Sequence, residues 1–154
     1  MNESTVAQAQ RGWAQHQRTR YQIAAWLAIP GALVWTIQAL GAWIQSQEGK
    51  WQDKEYLSIG DSTIAADDLL TFLSYAFLLI GLLLGYGAVL LLRGKTSGRR
   101  PLLVGAWLVI LGQLGAGVLA AIPIDAFHHS APPNLVFSTL LVIFPVLTIL
   151  CLTG

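Results

Sequence analysis

The chain lacks most of the side chains that keep a folded protein in water. Charged residues make up 11% of it, against 55% hydrophobic residues, and the mean hydropathy is +0.58. This composition excludes a water-exposed globule of 154 residues and indicates a protein whose main partner is the lipid bilayer. With a formal net charge of +1 and no basic domain, nucleic acid is not an expected partner.

Residues that bind metals, haem or protons are also scarce. The single cysteine, Cys151, excludes an intramolecular disulfide and a cysteine metal cluster. His16, His128 and His129 all lie in polar segments, so a bis-histidine haem inside a membrane bundle is not expected. No carboxylate occurs within residues 69–124. That argues against a proton-coupled transporter, because such proteins keep an ionisable group in the membrane.

What the chain does have is four long apolar runs, at residues 21–44, 69–92, 102–124 and 135–152. Each is long enough to cross a hydrocarbon core of about 30 Å as a helix that rises about 1.5 Å per residue. The sequence therefore predicts an all-α integral membrane protein. Residues 1–154 form a single four-transmembrane-helix bundle in this interpretation, and the short loops leave no room for a soluble catalytic domain.

The charges are sorted between the ends of these runs. Seven of the nine basic residues lie before the first run or between the second and third: Arg11, Arg18, Arg20, Arg93, Lys95, Arg99 and Arg100. Seven of the eight carboxylates lie in the other two loops: Glu48, Asp53, Glu55, Asp61, Asp67, Asp68 and Asp125. By the positive-inside rule, both termini and the 93–100 loop are predicted to be cytoplasmic, and the 45–68 and 125–134 loops extracytoplasmic.

The order of an apolar span, the segment Arg-Gly-Lys-Thr-Ser-Gly-Arg-Arg at 93–100 and a glycine-rich span resembles that of many small four-helix bacterial membrane proteins. The resemblance covers the whole chain and rests on composition and topology. It implies a multi-pass protein of a bacterial plasma membrane.

The polar segments carry local signals of their own. Residues 4–20 contain no proline and have apolar residues near the helical period, which predicts a short helix on the inner membrane surface. The alternative is that residues 1–20 form a solvated cytoplasmic tail. Alternating apolar residues at 55–59 and 62–65 flank Gly60 and Asp61, a pattern typical of a β-hairpin. This hairpin is predicted to lie over the outer mouth of the bundle.

After the hairpin, Asp67 or Asp68 is predicted to cap the second helix, because a carboxylate accepts from the free backbone N–H groups at a helix start.

Small residues recur at helical spacing along three of the spans. The repeats are Ala24, Ala28, Ala32 and Thr36 in the first, Gly81 and Gly85 in the second, and Gly112, Ala116 and Ala120 in the third. Such stripes let helix backbones approach closely, where van der Waals contact drives association in lipid. A compact monomeric bundle is sufficient to account for such stripes. There are more of them than one central interface needs, however, which leaves one or two for partner helices or a second copy. Pro30 and Pro145 are predicted to bend the first and fourth spans.

Two amides, Gln38 and Gln113, lie within the apolar runs. An amide left unsatisfied in lipid is costly, so both are predicted to face another helix. They either join helices by a hydrogen bond or line a site for a quinone, lipid or solute.

The loop after the third span is the one constellation that could hold a metal. Asp125 precedes His128 and His129 by three and four residues, a spacing that can place a carboxylate and imidazoles around one divalent ion. The alternative is a polar interfacial loop with the histidines solvated or touching a partner. No other cofactor is indicated.

These exclusions favour a non-catalytic protein. We expect an accessory or assembly subunit of a larger bacterial membrane complex, of the respiratory or transport class, and not an enzyme. One alternative is an oligomeric carrier or channel for a small uncharged or lipidic solute that passes Gln113 and Gln38. Another is an extracytoplasmic metal-handling protein built on the Asp125 loop.

Overall fold

The computed structural model describes the backbone of residues 3–52, 55–59, 62–121 and 135–153, and the side chains within 15–52, 64–116 and 141–153. The described chain is mostly helical. Its elements, in order, are α1 (Glu3–Ser46), β1 (Glu55–Ile59), β2 (Ser62–Ala65), α2 (Ala66–Leu92), a 3-10 turn (Thr96–Gly98), α3 (Arg99–Ala121) and α4 (Leu135–Thr153).

Within the described residues, two helices could cross a membrane by length and composition. These are Gln15–Ser46, within α1, and Ala66–Leu92, which is α2. The segment Leu141–Thr153 of α4 is a shorter apolar helix.

The N-terminal segment is not a separate element. Residues 4–20 are helical, as predicted, but α1 runs without a break from Glu3 to Ser46. No proline precedes Pro30 in this helix, and the hydroxyl of Thr19 donates back to the carbonyl of Gln15 at 3.1 Å. The polar segment and the apolar run are therefore one helix.

The helices pack as a ring in chain order. α1 contacts α2 and α4, and α3 contacts the same two helices. Paired positions run in opposite directions along neighbours: Ala32 lies near Gly85 and Thr36 near Gly81. Among the described residues, the α1–α2 interface is the most extensive.

That interface is built on small residues. Ala24, Ala28 and Ala32 are buried, and they leave room for the glycines of α2. A Cβ atom on Gly81 would lie 2.7 Å from the Thr36 Oγ1 atom. The Thr36 hydroxyl donates to the Ala32 carbonyl at 2.8 Å, so this polar group is satisfied within its own helix. The α1–α2 interface therefore depends on a close approach of the two helix backbones.

α2 ends in a glycine-dependent turn. The N–H of Gly94 donates to the Leu91 carbonyl and the N–H of Lys95 to the Leu90 carbonyl, both at 2.9 Å. This is the Schellman arrangement, which needs a left-handed residue just after the helix. Gly94 supplies it with a φ of 75°.

The turn brings two more glycines together. A Cβ on Gly98 would lie 2.5 Å from the Gly87 carbonyl oxygen, and one on Gly87 would lie 2.8 Å from the backbone nitrogen of Leu102. Both positions are buried. The start of α3 thus rests directly on the backbone of α2, and no larger residue fits at either position.

Strands β1 and β2 pair antiparallel, with Glu55 opposite Ala65 and Ile59 opposite Ser62, and with an irregularity after Glu55. Gly60 and Asp61, predicted to form the turn, lie outside the described residues.

The predicted cap of α2 is wrong. The N-cap residue is Ala65, which makes no side-chain cap hydrogen bond. Strand β2 runs through Ala65 and the helix begins at the next residue. Asp67 and Asp68 therefore fall inside the first turn, where their charge still meets the positive end of the helix dipole.

Candidate functional sites

An apolar cavity of about 160 Å³ lies between α1 and α4. Ala28, Gly31 and Trp35 line it from α1; Leu141, Pro145 and Thr148 line it from α4; and Leu84 reaches it from α2. A space of about this volume with apolar walls can hold a benzene-sized molecule.

Pro145 and Gly31 both lie on the walls of this cavity. Pro145 has no N–H, so the Leu141 carbonyl lacks the donor that the fourth residue along normally provides. On α1, Gly31 carries no side chain; a Cβ there would make an ordinary contact, 3.6 Å, with Leu84. The buried hydroxyl of Thr148 donates to the Phe144 carbonyl at 2.8 Å. The walls thus offer little polar chemistry, and the cavity suits an apolar molecule.

A second, polar cavity of about 370 Å³ lies at the end of the bundle where α3 begins. It is lined by Tyr21 of α1 and by Thr96, Ser97, Arg99 and Arg100. Three of these residues carry hydroxyl groups and two carry guanidinium groups. The chemistry is that of an anion site, because every charged group on its wall is a cation.

The two predicted amides are not brought together. Gln38 on α1 and Gln113 on α3 are both half-buried, but α1 and α3 lie across the ring from each other. Neither lines the apolar or the polar cavity. Within the part of the chain that the structure describes, neither amide makes a side-chain hydrogen bond.

The third span carries its small residues on an open surface. A Cβ on Gly112 or Gly115 would meet nothing within 4 Å, and Ala116 is exposed. The neighbouring Leu111 and Leu114 are exposed as well. We call Gly112, Gly115 and Ala116 the open face of α3. The remaining member of the predicted stripe, Ala120, has a side chain outside the described set.

The predicted metal ligands Asp125, His128 and His129 lie outside the described residues. Among the described ones, no group of three histidine, cysteine or acidic side chains could hold an ion.

Sequence reasoning did not find the polar cavity. In the sequence, its basic residues indicate only topology, and Tyr21 is far from them in the chain. The hydroxyls of Thr96 and Ser97 beside a run of cations were the available signal.

Compared with known protein families, with curated proteins and with solved structures, the chain shows no significant match.

Proposed function

We propose that this protein is a four-pass membrane protein that serves as a non-catalytic accessory or assembly subunit of a larger membrane complex. The observation that carries the proposal is the open face of α3, a small-residue surface against which no described helix packs.

Membrane placement is supported by the outward apolar side chains. Trp26 and Ile37 of α1 and Phe72 of α2 are about two-thirds exposed, at 65%, 66% and 68%. Large apolar groups pointing outward from two long apolar helices are unfavourable in water but compatible with lipid.

Orientation is supported by the charges at the two ends of the bundle. Because α1 and α2 are antiparallel, Glu48, Asp67 and Asp68 share one end, together with Lys50, which pairs with Glu48. The other end carries six cationic residues with described side chains, in α1, in the α2–α3 turn and at the start of α3: Arg18, Arg20, Arg93, Lys95, Arg99 and Arg100. The positive-inside rule makes this end cytoplasmic, so both chain termini are cytoplasmic too.

The accessory role follows from the open face of α3. In lipid, helices associate through close packing of small residues and not through a hydrophobic driving force. Gly112, Gly115 and Ala116 form a shallow surface that another helix can approach closely, and Leu111 and Leu114 flank it. We expect a helix of a partner subunit to pack against this surface.

The test is co-purification in mild detergent. Gly112→Leu fills the open face without an internal clash, since nothing lies within 4 Å of its Cβ position. Gly41→Leu is the matched control, because Gly41 on α1 is equally free of neighbours. We expect wild type and the Gly41 variant to bring down the same partners in fixed stoichiometry, and the Gly112 variant to lose them. Recovery of wild type only as a monomer under several gentle conditions contradicts the accessory role.

Orientation is tested separately by cysteine labelling. In a Cys151→Ala background, Gly49→Cys and Ser97→Cys place single thiols at exposed positions on opposite ends of the bundle. A membrane-impermeant thiol reagent added to intact cells should label position 49 and not position 97. The reverse pattern inverts the topology, and labelling of both positions rejects membrane spanning.

The apolar cavity supports a second candidate, a carrier or receptor for a small apolar or lipidic molecule. Its lining excludes Gln38 and Gln113, so the site proposed here differs from the amide pathway expected from sequence. Val34→Phe fills the cavity from its α1 wall. Under this candidate, the variant loses binding of a small apolar fluorophore while complex assembly is unchanged; unchanged binding rejects it.

A further inference from the structure

The polar cavity has the donors that a phosphate group requires. Two guanidiniums, from Arg99 and Arg100, supply forked donors whose geometry matches phosphate oxygens. Tyr21, Thr96 and Ser97 add three hydroxyl groups from two separate parts of the chain. No lining residue is acidic, so nothing on the wall would repel an anion.

Among the described side chains, neither guanidinium has an internal counterion. In the part of the chain with described side chains, the one ion pair is between Lys50 and Glu48 at the far end. Arg20, Arg93 and Lys95 add positive charge at the same end as the cavity. An unbalanced group of cations attracts and retains anions from its surroundings.

The position of Tyr21 points to the kind of molecule that carries the phosphate. Tyr21 is half-buried against the apolar core of the bundle while it also lines the polar cavity. Tyrosine with one apolar and one polar side is typical of the headgroup level of a membrane. The cavity thus lies where lipid phosphates lie, on the side where anionic lipids attract basic residues.

We propose that this cavity binds the phosphate of an anionic phospholipid, with Arg99 and Arg100 as the charged ligands and Tyr21, Thr96 and Ser97 as hydroxyl donors. The inference rests on the membrane placement proposed above. It does not depend on the accessory role, because the site lies within a single chain.

The experiment uses the full chain, purified in a non-ionic detergent and stripped of lipid. Binding of short-chain phosphatidylglycerol is measured against phosphatidylcholine, which has no net charge. Arg99→Gln with Arg100→Gln removes both charged ligands. Arg93→Gln with Lys95→Gln is the matched control, because it removes the same charge from the same end of the bundle at positions outside the cavity.

We expect the Arg99/Arg100 double variant to weaken phosphatidylglycerol binding at least about tenfold, since hydrogen bonds to charged groups are lost. All four side chains are exposed, but Arg93 and Lys95 do not line the cavity. The Arg93/Lys95 variant should therefore change binding less than about threefold, because its charges act on a bound phosphate only at longer range, where salt screens them. If both variants lose phosphatidylglycerol binding equally, the lipid is held only by general electrostatic attraction, and the proposed site is wrong. Equal binding of phosphatidylglycerol and phosphatidylcholine by the wild type would also overturn the proposal. A thermal melt of each variant in the same detergent shows that the protein is folded.

Two further measurements complete the test. Tyr21→Phe keeps the ring that packs on the core and removes only the hydroxyl, so weaker binding with an unchanged melt supports a ligand role and unchanged binding removes Tyr21 from the site.

Inorganic phosphate is titrated alone. Binding of phosphate as tight as that of the lipid, lost in the Arg99/Arg100 variant, assigns the site to a soluble phosphate and overturns the lipid assignment. Cysteine labelling reports separately on membrane placement.

Discussion

The guanidinium of Arg20 donates a hydrogen bond to the carbonyl oxygen of Leu150 at 3.0 Å. Leu150 lies in the last turn of α4. The cation also meets the negative end of the α4 dipole. This contact joins the start of the apolar part of α1 to the end of α4, and so it closes the ring of helices at the basic end.

Replacing Arg20 with glutamine should loosen this closure. We expect Arg20→Gln to lower the free energy of unfolding by about 0.5–1 kcal/mol, a modest value because the contact is partly exposed to solvent. Denaturation in mixed micelles followed by circular dichroism measures it. Arg18→Gln is the control, as Arg18 is exposed and makes no described contact. Equal losses in the two variants would show that net charge matters and the Leu150 contact does not.

Adding a methyl group at Gly98 should prevent α3 from reaching its place on α2. The new Cβ would lie 2.5 Å from the Gly87 carbonyl oxygen and 2.7 Å from the Leu90 Cβ. Neither atom can rotate away, so we expect Gly98→Ala to destabilise the protein by about 3 kcal/mol or more. The yield of folded protein and its melting temperature provide the readout. Gly112→Ala introduces the same methyl group into open space and should behave as wild type; a mild Gly98 variant would contradict this packing.

Substitutions at Gly81 and Thr36, which meet in the α1–α2 interface, should have coupled effects on stability. Gly81→Ala places a Cβ 2.7 Å from Thr36 Oγ1 and 3.2 Å from the Ala32 carbonyl oxygen, and we expect a loss of about 1–3 kcal/mol. Thr36→Ala removes the closer atom, so the double variant should be more stable than the sum of the single effects by at least about 0.5 kcal/mol. Thr36→Ser keeps the oxygen and should give no such relief. Additive effects would mean that the backbone contact alone limits the seam.

The metal site expected at Asp125, His128 and His129 remains a prediction. If the loop binds a divalent ion, protein purified without added metal should contain more metal than the His128→Ala, His129→Ala double variant. Its affinity should fall as the pH drops through about 6.5, because imidazole must be neutral to ligate. His16→Ala is the control at the other end of the chain. Equal, sub-stoichiometric metal in all three proteins assigns the histidines to an interfacial loop.

The helices and the paired strands could be predicted from the sequence because each depends on residues close together in the chain. The starts of α2 and α4 lie within three residues of the predicted spans at 69 and 135, and the paired strands cover the residues flanking Gly60. Hydrophobic period and turn chemistry depend only on neighbouring residues. The start of α2 shows the limit of this reasoning, since a strand continuing through Ala65 displaced the cap expected at Asp67.

Long-range features could not be read from one sequence. The approach of Gly98 to Gly87 depends on how tightly the Gly94 turn closes, and the polar cavity needs Tyr21 to meet a turn more than seventy residues later. The open face of α3 is similar. A small residue such as Gly112 can face another helix of the same chain or the outside of the bundle. Which of the two occurs depends on how α3 is rotated about its axis, and the spacing of the small residues does not specify that rotation.

The unbroken α1 helix couples rotation at its polar end to rotation inside the bundle. An α-helix turns by about 100° per residue, and α1 at 1.5 Å per residue is about 66 Å long, roughly twice the thickness of a bilayer core. Residues ahead of Tyr21 therefore keep a constant angular phase relative to the seam at Ala24 and Ala28. Rotation of α1 at its polar end would therefore also rotate the residues that pack against α2. Inserting one residue after Thr19 would turn the polar segment by about 100° relative to that interface, while the residues of the segment stay the same.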